Sequence, residues 1–135
     1  PPHACHTVPG LPPQGPFLDP AFSSFAPLGA IGDSAVIDAL GFGGQALAFA
    51  PEPRAQLESH LPASPMPCTL LEAAHPAFAR VGARVGLDAA RIATSPVLPV
   101  VTLGMVEKTG ERGLLGRGVL LPPRELFSNA VRETS

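Results

Sequence analysis

The chain has 135 residues, with 9 Lys and Arg against 11 Asp and Glu and a formal net charge of -2. That balance leaves no electrostatic footprint for nucleic acid, and no apolar run approaches the roughly 18–20 residues of a membrane span. With 45% apolar residues and 14 Gly beside 18 Pro, the composition is that of one proline-rich domain able to bury a core, not of a disordered chain.

Residues 1–30 carry Pro1, Pro2, Pro9, Pro12, Pro13, Pro16, Pro20 and Pro27, which forbid a long helix. Leu11, Phe17, Leu18, Phe22, Phe25 and Leu28 are interleaved with them. Large apolar groups at that density predict an extended arm anchored across a surface, the chain's own or a partner's. A tail ordered only by its neighbours is the alternative. Residues 31–135 then form a single domain.

Within it, Gly32-Asp33-Ser34 opens a predicted helix in which Val36, Ile37 and Leu40 recur at helical spacing. Asp33 suits the N-cap and Gly41 the stop. After Gly43-Gly44, Gln45 to Ala50 reads as a second short helix, and Pro51 opens a third with Leu57 and Leu61 on one face. Ser64 to Pro67 is a link, and Cys68 to Ala74 reads as a short helix ended by His75-Pro76. Phe78 to Val85 fits either a frayed helix or a strand edge. Asp88 caps a helix through about Thr94. Val97 to Val106, β-branched and apolar, is the best strand, and Pro99 places its start at an edge or entrance. Lys108 to Gly118 reads as a loop rich in glycine and charge, Val119 to Leu121 as a short extended segment, and Pro122-Pro123 as the start of a last helix. Helices and at least one buried strand mix without regular alternation or internal repeat. This predicts an α+β fold, short helices packed on a small sheet with the arm outside it.

Two constellations carry candidate chemistry. Asp33 and Ser34 at a helix start, with Gly43 and Gly44 after it, would form an anion pocket from free backbone N–H groups. A plain cap with tightly packed glycines is the alternative, and neither Gly-x-Gly-x-x-Gly nor the P-loop consensus is present. Lys108, Arg112, Arg117 and Arg124 gather around Gly110, Gly113, Gly116 and Gly118, a pattern suited to a small polyanion. An ordinary solvated loop is the alternative, since Glu107 and Glu111 dilute the charge. His3-Ala4-Cys5-His6, with His60, Cys68 and His75, lacks the paired spacing of a zinc site, so no metal is expected. Cys68 reads as a structural thiol, and its pairing with Cys5 stays open. No signal peptide is visible, and the expected compartment is the cytoplasm. A chain opening Pro-Pro without Met also looks like a processed or excised piece.

The stretch Ile31-Gly32-Asp33-Ser34-Ala35-Val36-Ile37, with Gly41-Phe42-Gly43-Gly44-Gln45-Ala46 and Ala50-Pro51, resembles the C-terminal part of a bacterial family long labelled uncharacterised. That family includes the AllG-type subunit of oxamate carbamoyltransferase. Gly86-Leu87-Asp88, Leu98-Pro99-Val100-Val101 with Gly104 and Lys108, Gly116-Arg117-Gly118-Val119 and Pro122-Pro123 with Glu125-Leu126-Phe127 continue the likeness in order. It covers roughly residues 10–131. The family tends to polar residues where Thr102 and Leu103 stand, and often has His in place of Glu107. The resemblance implies the C-terminal domain of a longer chain, working beside FdrA-like and AllH-like subunits in an oligomer, without a cofactor. The implied reaction is carbamoyl transfer between oxamate and phosphate. Asp33, Ser34, Gly43 and Gly44 would then form one wall of a small-anion site, with Lys108 and Arg117 facing it. An assembly domain that docks partner subunits, with catalysis elsewhere, is the competing expectation.

Overall fold

The computed structural model describes residues 6–62, 67–74, 76–82 and 84–134. The β-branched run yields β3 (Val101–Val106), which folds back on β4 (Leu114–Leu120) as an antiparallel hairpin in register from Val101↔Leu120 to Val106↔Leu114. Val101, Leu103 and Met105 are buried, the period-two alternation of a strand with one covered face. The remaining elements are the helices α1 (Ser34–Leu40), α2 (Pro51–Leu57), α3 (Ala89–Thr94) and α4 (Arg124–Thr134), and the short strands β1 (Leu71–Ala74) and β2 (Arg84–Leu87). β1 and β2 make a second antiparallel pair, Leu71↔Leu87 to Ala74↔Arg84, which does not join the hairpin. The fold is α+β, and among the described residues no helix is long and apolar enough to cross a membrane.

Two expectations need correction, and a reading left open between helix and strand is resolved. Cys68 to Ala74 is not a helix: a 3-10 turn (Pro67–Leu70) gives way to β1, with Leu70 and Leu71 both buried. Phe78 to Val85 divides into a 3-10 turn (Pro76–Val81) and the start of β2. The glycine-rich loop closes by Gly113, and Leu114, Gly116, Arg117 and Gly118 belong to β4. Those glycines serve close packing. A Cβ on Gly116 would lie 2.2 Å from the Pro16 carbonyl oxygen, and one on Gly118 would lie 2.9 Å from Pro13 Cβ.

The partner that needs this closeness is the N-terminal arm, which lies on the chain's own hairpin. Gln14 and Val119 exchange both backbone hydrogen bonds (2.9 and 2.8 Å), and Leu18 N donates to Leu115 O at 2.8 Å. After a 3-10 turn at Pro20–Ser24, capped by Asp19, Leu28 N donates to Val106 O at 2.7 Å and Lys108 N to Ala26 O at 2.9 Å. The arm therefore pairs with both strands and covers an edge that would otherwise stay open. Phe17, Phe22, Phe25 and Leu28 are partly buried, and the Arg112 guanidinium sits 5.1 Å from the centre of the Phe25 ring. Leu11 and Leu18, expected as anchors, stay exposed.

Two apolar clusters hold the elements together. Leu47, Leu57, Val100 and Val119, with Leu61 against them, fasten α2 and the 3-10 segment Gly43–Phe49 to the hairpin. Leu70, Ile92 and Val97, with Leu87, Leu98 and Phe127, join α3 and α4 to the second sheet. Full burial of each Leu or Ile contributes about 1.5–3 kcal/mol. Asp88 caps α3 as expected, accepting from Arg91 N at 3.1 Å.

Helix α1 faces the opposite way from its apolar spacing. Val36, Ile37 and Leu40 are 61%, 48% and 48% exposed, while Asp38 is 1% exposed. The buried carboxylate accepts from Gly44 N and from Thr102 N (3.1 Å), so this side of α1 is fastened to β3 by hydrogen bonds. Gly41, with φ of 107°, ends the helix.

Candidate functional site

On the hairpin, Gly104 lies opposite Arg117, and Thr102 lies opposite Val119. Directly opposed residues and those two apart share a face, so Thr102, Gly104, Arg117 and Val119 line up together. Val119 is buried under Leu47 and Leu57. Beyond it the 3-10 segment and α2 stand away from the sheet and leave a cleft of about 500 Å³. Thr102, Gly104 and Arg117 line one side, and Gly43, Ala46 and Ala50 the other. Arg117 also borders a second cleft of about 820 Å³, walled by Pro16, Phe17 and Gln56.

Arg117 is exposed, and among the described residues its guanidinium has neither ion pair nor hydrogen bond. A free guanidinium beside a threonine, between apolar walls, is suited to an oxyanion, because its planar fork matches a carboxylate or phosphate.

Of the six residues expected in an anion site, the fold brings Gly43 and Arg117 to this cleft. Gly44 lies just beneath it, buried, with its amide donated to Asp38. Asp33 holds the N-cap position of α1 in the αR region (φ -95°, ψ -2°), and its side chain makes no capping bond. Asp33 and Ser34 do not line the cleft, and Lys108 is exposed on the β3–β4 turn.

Sequence reasoning passed over Asp38. Burial raises its pKa above 3.8, against the amides of Gly44 and Thr102 and the Thr102 hydroxyl, all of which favour the carboxylate. The one signal for it was a lone acid inside an apolar helical window. Gln45 is likewise buried, its Nε2 donating to Val100 O at 2.8 Å. Glu107, where relatives were expected to carry His, organises the hairpin turn. It accepts from Thr109 Oγ1 (2.6 Å), Thr109 N (3.1 Å) and Glu111 N (3.1 Å). The Thr109 hydroxyl leads the causes that hold its carboxyl below 4.5.

Among the described residues no group of three His, Cys, Asp or Glu is placed to hold a metal. His3, Cys5 and His75 lie outside those residues, as does the Cys68 side chain. His6 Nε2 sits 3.4 Å from Glu133 Oε2.

No family model matches the chain. It is 31% identical over 142 aligned residues to the uncharacterized protein YahG of Escherichia coli (strain K12), covering 92% of this chain and 30% of that protein. The fold matches the crystal structure of a protein of unknown function from Enterococcus faecalis V583 with a TM-score of 0.74 and 23% identity, over 93% of this chain and 32% of that one. The chain thus spans about a third of the length of the relatives it matches. Over nearly all of its own length, it is similar to one stretch of an uncharacterised protein family in which YahG stands.

Proposed function

We propose that this chain supplies a small-anion-binding wall to a carbamoyltransferase subunit of the oxamate and carbamoyl phosphate type. The observation that carries the anion part is the unpaired Arg117 guanidinium at a cleft shared with Thr102 and Gly43. The transferase part rests on the sequence resemblance described above. Carbamoyl transfer requires an amide nitrogen held against a carbamoyl carbon and charge stabilisation on phosphate and oxyanion. Arg117 binds the carboxylate or phosphate bidentately. Gly43 stands in the opposite wall, and Leu47 and Leu57 keep one end of the cleft dry. Asp33, Ser34 and Lys108 act outside this cleft in the reading, and FdrA-like and AllH-like subunits complete the assembly.

Calorimetry of the chain with oxamate, phosphate and carbamoyl phosphate tests it. Binding of at least one anion, weakened about tenfold or more in Arg117→Gln and unchanged in Ser34→Ala, is the expected result. Equal affinity in wild type and Arg117→Gln overturns it.

A second reading, a domain that docks partner subunits, is favoured by a separate feature. Phe42, Phe49 and Val81 are exposed around another cleft of about 560 Å³, between the 3-10 segment and the second sheet. Exposed apolar groups gathered at one place suit a protein partner. A stable complex with an FdrA-like subunit, and no binding of any of the three anions, would favour this reading.

A further inference from the structure

Gln45 is 1% exposed, and its amide is only half satisfied. Nε2 donates to Val100 O at 2.8 Å, while Oε1 has no hydrogen-bond partner among the described residues. The bond to Val100 also settles which end of the amide is which, because the reversed amide would set two carbonyl oxygens against each other. A buried acceptor in this state costs free energy that an apolar side chain of the same size would not. Few such atoms occur in a native fold, and each calls for a donor that completes it.

Gln45 lines the cleft of about 560 Å³ between the 3-10 segment Gly43–Phe49 and the second sheet. Phe42, Ala46, Phe49, Leu71, Val81 and Val85 give that cleft mainly apolar walls. Its volume falls within the roughly 300–1,000 Å³ of small-molecule pockets, and apolar walls around a few fixed polar groups are their usual chemistry. Arg84 borders the same cleft. Its Nε donates to Leu71 O at 3.2 Å and its Nη2 to Glu72 O, and among the described residues it has no ion pair. A cation without a counter-charge there repels a cationic ligand.

We propose that this cleft binds a small planar aromatic or heteroaromatic molecule, neutral or anionic, that donates an N–H or O–H on its ring edge to Gln45 Oε1. The rings of Phe42 and Phe49, with Val81 and Val85, take the apolar body of the ligand, and the Gln45 oxygen selects its polar edge. A protein face laid over the exposed Phe49 and Val81 would leave that oxygen unanswered, since only a group that enters the cleft approaches it. The site is separate from the Arg117 cleft, with Ala46 bordering both, and does not rest on the anion reading. A ligand of the same shape without the donor keeps the apolar contacts but leaves Oε1 unpaired, which costs affinity.

The test is NMR titration of the intact chain with indole and with benzofuran, the same bicycle with oxygen in place of the N–H. Wild type should bind indole about five- to tenfold more tightly, the worth of one hydrogen bond. Indole should also shift the Gln45 side-chain amide resonances more than benzofuran does. Gln45→Met keeps the length of the side chain, removes the acceptor and should bring the ratio to about one. If Gln45→Met does not fold, the wild-type ratio and the Gln45 resonances decide the matter. Val85→Phe, which fills the cleft, should abolish binding of both probes. Equal binding of the two probes by wild type overturns the inference. So does a preference that survives Gln45→Met, indole binding that leaves the Gln45 resonances unmoved, or indole binding undiminished in Val85→Phe. Failure of both probes to bind overturns it as well and leaves the cleft to the docking reading, while the Arg117 reading stands or falls by its own calorimetry.

Discussion

Leu57 is 0% exposed and packs with Leu47, Val100, Val119 and Leu61 where α2 meets the hairpin. Leu57→Ala removes three carbons, a transfer cost of about 0.8 kcal/mol each. A cavity cost of about 24 cal/mol per Å³ is added where the surroundings do not collapse. Because Leu57 also borders the Arg117 cleft, water enters part of the void, which places the total near the low end of the Leu→Ala range, about 3 kcal/mol. With unfolding entropy of about 2.1 cal/mol/K per residue, a chain of this length should lose about 10 °C in Tm. Ile37, at 48% exposure on the outward face of α1, supplies the contrast: Ile37→Ala should cost no more than about 0.5–1 kcal/mol. The chain has no Trp or Tyr, so far-UV circular dichroism during urea and thermal unfolding is the measurement. A loss in Ile37→Ala as large as that in Leu57→Ala would show that α1 buries its apolar residues, and a loss below about 1 kcal/mol in Leu57→Ala would show that Leu57 does not sit in a packed core.

Two further outcomes follow from the hairpin. Glu107 is depressed below its ordinary value of 4.5 by the Thr109 hydroxyl and the turn amides, so its contribution is present above that pH and is lost as pH falls through the folded value. Asp38 has the opposite sign. Raised above 3.8 by burial, it favours proton uptake on folding, and stability falls as pH rises through its folded value. Urea midpoints measured against pH should therefore fall less steeply on the acid side in Glu107→Gln than in wild type, and an unchanged acid limb would refute the turn's role. Gly15→Ala would set a Cβ 2.0 Å from the Arg117 carbonyl oxygen. It should lift the arm from β4 and expose residues 8–18 to proteolysis, and protection equal to wild type would show that the arm does not need that close approach.

Several local features could be read directly from residue order. Gly41 ends α1 because only glycine adopts its positive φ without strain, and the fold keeps it there. Asp88 caps α3, Pro51 opens α2, and Pro122-Pro123 precedes α4. Each signal acts within one turn of its own position, so its cause lies within a few residues. The candidate site was legible only in part. Gly43 and Arg117 stood out by type, while Thr102 and Asp38 acquire meaning only once the fold brings the Thr102 amide to the buried Asp38 carboxylate beside the cleft.

What residue order determined was thus the punctuation of the chain and its α+β character. Tertiary structure decided which faces are buried. Leu71 to Ala74 has the composition of a helix, yet it is a strand because β2 supplies the hydrogen bonds its backbone requires. Gly116 and Gly118 look like loop residues, yet they lie in β4 because they pair with Met105 and Leu103, and their missing side chains leave room for the arm's Pro16 carbonyl and Pro13 ring. Val36, Ile37 and Leu40 trace an apolar helical stripe, yet Asp38 turns inward, because the backbone amides of Gly44 and of the distant Thr102 converge on its carboxylate. Periodicity records which side of a helix is apolar, but the side that is covered depends on hydrogen-bond partners that only the folded chain brings within reach.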